Sequence, residues 1–212
     1  MRLITVNICL LIFSLQTQAQ TAIGGKIGVS IANVATNVSD PNAKSKIGVN
    51  GGFVFAYGIG NGKISFVGEL LFTQKGGNNI VSGDVNRFYI EIPAMLRYGF
   101  SIVESFPLRI FINAGPYLGL GFGQRSGGDA YYNKDAGSTN VMEMGVAAGG
   151  GFMYPAGPGN IFVEGRYSYA LTNLVNKTLE RNEYTAISAG YLYTLKGKSQ
   201  EEKDKTIAPG FE

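Results

Sequence analysis

The chain is expected to fold as an all-β protein, an eight-stranded antiparallel up-and-down transmembrane β-barrel. Three observations lead there. Apolar and polar residues alternate at period two along most of the chain, the connections between these stretches alternate long and short, and glycine and aromatic residues abound. Leu108–Phe122 states the pattern most clearly. One face is Leu108, Ile110, Ile112, Ala114, Pro116, Leu118, Leu120 and Phe122; the other is Arg109, Phe111, Asn113, Gly115, Tyr117, Gly119 and Gly121. A helix would mix the two sets, and Gly115, Pro116, Gly119 and Gly121 would each disfavour it by ~1 kcal/mol or more. A lipid-facing strand needs only ~9–11 residues to cross a bilayer, so this stretch spans one and continues beyond it.

The remaining elements repeat the theme. Ile23–Ala32 sets Ile23, Gly25, Ile27, Val29 and Ile31 against Gly24, Lys26, Gly28, Ser30 and Ala32. Ile47–Tyr57 sets Ile47, Val49, Gly51, Phe53, Phe55 and Tyr57 against Gly48, Asn50, Gly52, Val54 and Ala56. Gly58–Gly62 is a short Gly/Asn connection of the kind that closes hairpins. Ile64–Thr73 places Ser65, Val67, Glu69, Leu71 and Thr73 on its second face. Phe88–Tyr98 places Tyr89, Glu91, Pro93, Met95 and Arg97 there. After Leu108–Phe122 come Met142–Tyr154, with Glu143, Gly145, Ala147, Gly149 and Gly151 on the second face, and Ile161–Leu171, with Phe162, Glu164, Arg166, Ser168 and Ala170. Tyr184–Leu195 is the last, with Ile187, Ala189, Tyr191, Tyr193 and Leu195 outward.

Long connections are expected at Asn33–Lys46, Gln74–Asn86, Gln124–Asn140 and Thr172–Asn182, short ones between them. Long loops on one side and brief turns on the other mark a bacterial outer-membrane barrel, and place both termini in the periplasm. Closure removes every sheet edge, which is obligatory where no water can satisfy the backbone. Pro93 and Pro116 each forfeit a ladder hydrogen bond and are expected at bulges or strand margins. Tyr57, Phe66, Tyr98, Tyr154 and Tyr193 fall toward one end of the strands, and Phe72, Phe88, Phe122 and Tyr169 toward the other, as two aromatic girdles would.

Outside residues 21–195, the barrel, two segments stand apart. Residues 1–20 read as a secretory signal peptide: Arg2, then the apolar run Leu3–Leu15, then a polar, small-residue exit. Cys9 is the chain's one cysteine and lies inside the apolar run, so no disulfide framework or thiol chemistry is expected of the mature chain. Residues 196–212 read as a charged, disordered periplasmic tail. Net charge of +3 is too mild to imply nucleic acid, and histidine is missing, which removes the commonest general base and zinc ligand.

The face opposite the apolar one carries Lys26, Arg97, Arg109 and Arg166 together with Glu69, Glu91, Glu143 and Glu164. Four positive and four negative charges cancel. In a barrel just wide enough for its own side chains they are expected to form a neutral lumen network, and an ion path is the competing reading. Glu69 and Glu91 as a glycosidase acid and base are the weaker enzymatic alternative. Gly119-Leu-Gly-Phe-Gly123 resembles part of a dinucleotide fingerprint but has no helix behind it. Catalytic, cofactor and metal sites are therefore not expected. Asp129, Tyr131 and Tyr132 in the longest loop are the residues best placed to touch something outside.

The run Tyr89-Ile-Glu-Ile-Pro-Ala-Met-Leu-Arg-Tyr98 resembles the signature of the PorT-like outer-membrane β-barrel domain family. Gly25-Lys-Ile-Gly-Val-Ser30, Gly68-Glu-Leu-Leu-Phe-Thr-Gln-Lys75 and Ala114-Gly-Pro-Tyr-Leu-Gly119 are similar to that family's first, third and fifth strands. The resemblance implies an outer-membrane barrel of Gram-negative bacteria, a few of whose relatives take part in protein secretion and gliding machinery. It carries over no ligand-binding residue. The charged tail after Leu195 departs from barrels that end on an aromatic residue. The expected function is a non-enzymatic structural or interaction module in contact with outer-membrane lipid and envelope protein partners. A narrow pore and a soluble periplasmic lipocalin-like barrel are the alternatives.

Overall fold

In the computed structural model the described residues are 20–35, 44–60, 63–79, 83–101, 106–126, 129–131, 142–172 and 181–195. They form strands β1 (Thr21–Ala35), β2 (Lys44–Ile59), β3 (Ile64–Asn79), β4 (Gly83–Ser101), β5 (Arg109–Ser126), β6 (Asp129–Tyr131), β7 (Met142–Ala156), β8 (Gly159–Ala170) and β9 (Arg181–Leu195). Each strand pairs antiparallel with the next in the order β4-β3-β2-β1-β9-β8-β7-β5, and β4 pairs with β5 to close the ring. Eight strands make the barrel; β6 is a three-residue ribbon folded back on the end of β5. The segments read as a signal peptide and a tail lie outside the described residues, Gln20 excepted.

Direction follows the alternation. Ile27, Ile47 and Phe53 are each more than 70% exposed on the outer surface, while Val67 and Met95 are wholly enclosed. Exposed valine, isoleucine and phenylalanine around the whole circumference belong against hydrocarbon, because water would penalise that area at ~25 cal/mol per Å². The lipocalin-like alternative required the reverse and is excluded. Phe72, Phe88 and Phe122 from three adjacent strands pack with centroids 5.9–6.3 Å apart at one end of the barrel. At the other end Tyr98 meets Phe100 and Phe106 meets Tyr154. The short turns lie at that second end, with Gly60 and Gly157 at φ +60° and +59°, a conformation that costs glycine little.

Two expectations are corrected. The strands run further into the long connections than alternation indicated: β3 continues through Gly76, Gly77, Asn78 and Asn79, which pair with Asn86, Val85, Asp84 and Gly83. These glycines and asparagines have turn chemistry, but a ladder already in register extends over residues of poor strand propensity. Likewise β2 begins at Lys44 and β5 reaches Ser126. Pro93 and Pro116 sit in mid-strand rather than at bulges or margins, and the β4–β5 register is the same on either side of them. The other hydrogen bonds of these long ladders hold the register when one donor is lost. The shift on β4–β5 comes instead between Phe88 and Tyr89.

Candidate functional site

The inward faces place charged side chains in two layers. Toward the turn-bearing end, β1 supplies Lys26, β3 Glu69, β4 Arg97, and β8 both Glu164 and Arg166. Arg166 holds Glu69 with two parallel bonds, Nη1 to Oε2 at 2.6 Å and Nη2 to Oε1 at 2.8 Å, and donates from Nε to Glu164 Oε1 at 2.6 Å. Lys26 Nζ lies 3.0 Å from Glu69 Oε2 and 3.8 Å from Glu164 Oε2. Arg97 Nη2 is 3.5 Å from Glu164 Oε2, and its guanidinium lies over the Phe111 ring at 4.1 Å.

The second layer lies toward the long-loop end, and Lys75 is its centre. Its Nζ is 2.6 Å from Glu91 Oε1 and 2.5 Å from Glu143 Oε1, and the rings of Tyr89, Tyr117 and Tyr184 lie within 4.7–5.2 Å of it. Glu91 accepts from Tyr184 and Thr73, at 2.6 and 3.0 Å. Glu143 accepts from Tyr117 at 2.7 Å and Asn182 at 2.5 Å. Such satisfaction is what lets charge survive burial, since an unpaired ion in low dielectric costs several kcal/mol or more.

Below the first layer the lumen is apolar. Val54, Val67, Met95, Phe111, Phe162 and Leu192 fill it, with Phe111 and Phe162 edge to face at 6.5 Å. Small residues make room for the rings: a Cβ at Gly190 would stand 2.5 Å from Phe162 Cζ, and one at Gly145 would overlap the Tyr117 ring.

Of the eight charges read from the sequence, the structure thus brings Lys26, Glu69, Arg97, Glu164 and Arg166 into one layer and places Glu91 and Glu143 in another. Arg109 lies half-buried at the mouth of the barrel on the turn-bearing end, where it lines one cavity with Arg97. Glu69 and Glu91 are in different layers, each held by its own cation, so they do not form an acid and base pair. Lys75 is an inward charge that the sequence reading, with its loop at Gln74–Asn86, does not include; β3 in fact runs on to Asn79. The alternation Val67, Glu69, Leu71, Thr73, Lys75 carries it inward once the strand is continued. Asp129 and Tyr131 lie on β6, across from Ser126 and Gln124, and Tyr132 lies outside the described residues.

A family model described as an outer membrane protein beta-barrel domain matches residues 16–176. No curated protein matches the chain. Among solved structures, Neisserial surface protein A superposes with a TM-score of 0.52 at 16% identity, over 81% of this chain and 96% of that one. OprG from Pseudomonas aeruginosa gives 0.47 at 12% identity over 84% and 96%, and Ail of Yersinia pestis 0.45 at 17% over 84% and 100%. At 16% identity the likeness to Neisserial surface protein A is one of fold alone.

Proposed function

This chain belongs to the outer membrane protein beta-barrel domain family, and from that premise we propose that it is a non-enzymatic structural or interaction module of the outer membrane. Its lipid-facing surface anchors it, both termini face the periplasm, and contacts with envelope protein partners are made by the long loops or the charged tail. The finer kinship we propose is with the PorT-like barrels, and with it a place in a secretion or gliding-related envelope complex.

One observation carries the reading: buried charged side chains in two ion-paired layers cross the lumen between the turn-bearing mouth and the long-loop end. Glu69, Glu91, Glu143, Glu164, Lys26, Lys75, Arg97 and Arg166 are each no more than 7% exposed. Eight strands leave space for side chains and little else. The charges act as a neutralising plug that fixes the barrel's cross-section, and function is displaced to the rims. Planar-bilayer recording tests this against a narrow pore: the expected result is an electrically silent bilayer. Conductance steps that change with Arg109→Ala would establish the pore instead. Photo-crosslinking in cells from Tyr132 and from Lys198 tests the module itself, with a protein adduct expected from at least one of the two positions.

A further inference from the structure

We propose that the cavity at the turn-bearing mouth of the barrel is an oxyanion site, taking a carboxylate or phosphate group against the Arg97 guanidinium. The cavity measures about 90 Å³ and its walls include Lys63, Ser65, Arg97, Arg109, Asn160 and Thr194. Arg97 is 4% exposed, and Nε, Nη1 and Nη2 all lack a hydrogen-bond acceptor among the described residues. Its 3.5 Å approach to Glu164 Oε2 is long for a charge-assisted bond, which closes to about 2.7–2.9 Å. Lys26, Lys75 and Arg166 each have a carboxylate oxygen within 3.0 Å.

Charge counting leads to the same place. The layer that includes Arg97 has three cations, Lys26, Arg97 and Arg166, against two carboxylates, Glu69 and Glu164. Among the described residues this layer therefore carries one more cation than carboxylate. Asn113, opposite Arg97 in the β4–β5 ladder, also has an unbonded side-chain amide. A planar fork of donors buried beside an open cavity matches a carboxylate or phosphate, and burial makes each such bond stronger than it would be in water. Phe111 beneath the guanidinium holds the fork in place.

The same chemistry has two sources. One is a free or partner-borne oxyanion; the other is the chain's own tail, which leaves β9 next to Thr194 and carries Glu201, Glu202 and Asp204. Those carboxylates begin six residues past Leu195, a reach of roughly 20 Å when extended. The test uses the full chain folded into phosphatidylcholine nanodiscs with isotopically labelled arginine. Sodium phosphate and sodium acetate are titrated against sodium chloride at matched ionic strength, so that screening is held constant.

The Arg97 Nε signal is expected to shift saturably with either oxyanion and not with chloride, and affinity should fall by about tenfold or more in Arg97→Gln, read by displacement of labelled phosphate. Should that variant not fold, Ser65→Phe fills the mouth with Arg97 left in place and is expected to abolish the shift. A silent wild-type chain whose Glu201→Gln/Glu202→Gln/Asp204→Asn variant responds would assign the site to the tail. No saturable response in either chain, or one that survives Arg97→Gln or Ser65→Phe, overturns the proposal.

Discussion

Lys75 has nothing to fall back on if its partners are lost. Its ammonium is enclosed by two carboxylates and three phenol rings, and the side chain is 1% exposed. Replacing it with methionine strands Glu91 and Glu143 against each other, and removing one member of a buried ionic group typically costs ~3–5 kcal/mol. Lys75→Met is therefore expected to lower the urea midpoint for the folded gel band, and adding Glu143→Gln should recover part of the loss because one stranded charge is removed with its partner. Additive losses in the double variant would mean that the two do not act together. Legibility in the sequence divides along this line. Alternation alone placed Lys26, Glu69, Glu91, Arg97, Glu143, Glu164 and Arg166 on the inner face. It gave no height along the barrel, so it could not separate the two layers or leave Arg109 at the mouth. Tyr89, Tyr117 and Tyr184 share that face, yet nothing in their identity says that they cage a lysine.

At the scale of the strand, depth in the bilayer decides what a substitution costs. Ile27 lies near the middle of β1, 73% exposed and paired across to Gly51 and Ala189. Arginine there must bring its charge into hydrocarbon, and comparable changes at the midplane of barrels cost ~2–4 kcal/mol. Thr185 is also outward-facing but lies toward the long-loop end of β9, where the same change costs about 0–1 kcal/mol. Reversible unfolding of Ile27→Arg and Thr185→Arg from phospholipid vesicles should show that difference, and equal losses would contradict the placement of the membrane band. Strand type and order were legible because lipid on one side and a packed lumen on the other enforce period two. Strand ends were not. Gly76 to Asn79 have the composition of a turn, and only the facing residues Gly83 to Asn86 make them a ladder. Pro93 misled for a related reason, since eight closed strands tolerate a missing donor that an isolated hairpin would not.

For the molecule as a whole, closure and the direction of its two faces are one claim. A ring without edges has every ladder paired, which is the condition for residing in hydrocarbon, and its narrow interior then has to be filled by what points inward. Small residues opposite large ones, such as Gly190 beneath Phe162 and Gly145 beneath Tyr117, let that filling reach the barrel axis. The most direct measurement is a nitroxide scan along residues 109–120, one position at a time, in phospholipid vesicles. Oxygen accessibility is expected to peak at 110, 112, 114, 118 and 120 and to fall at 111, 113 and 117. Maxima at 111, 113 and 117, or a flat profile with water-soluble relaxation agent reaching every position, would contradict the account.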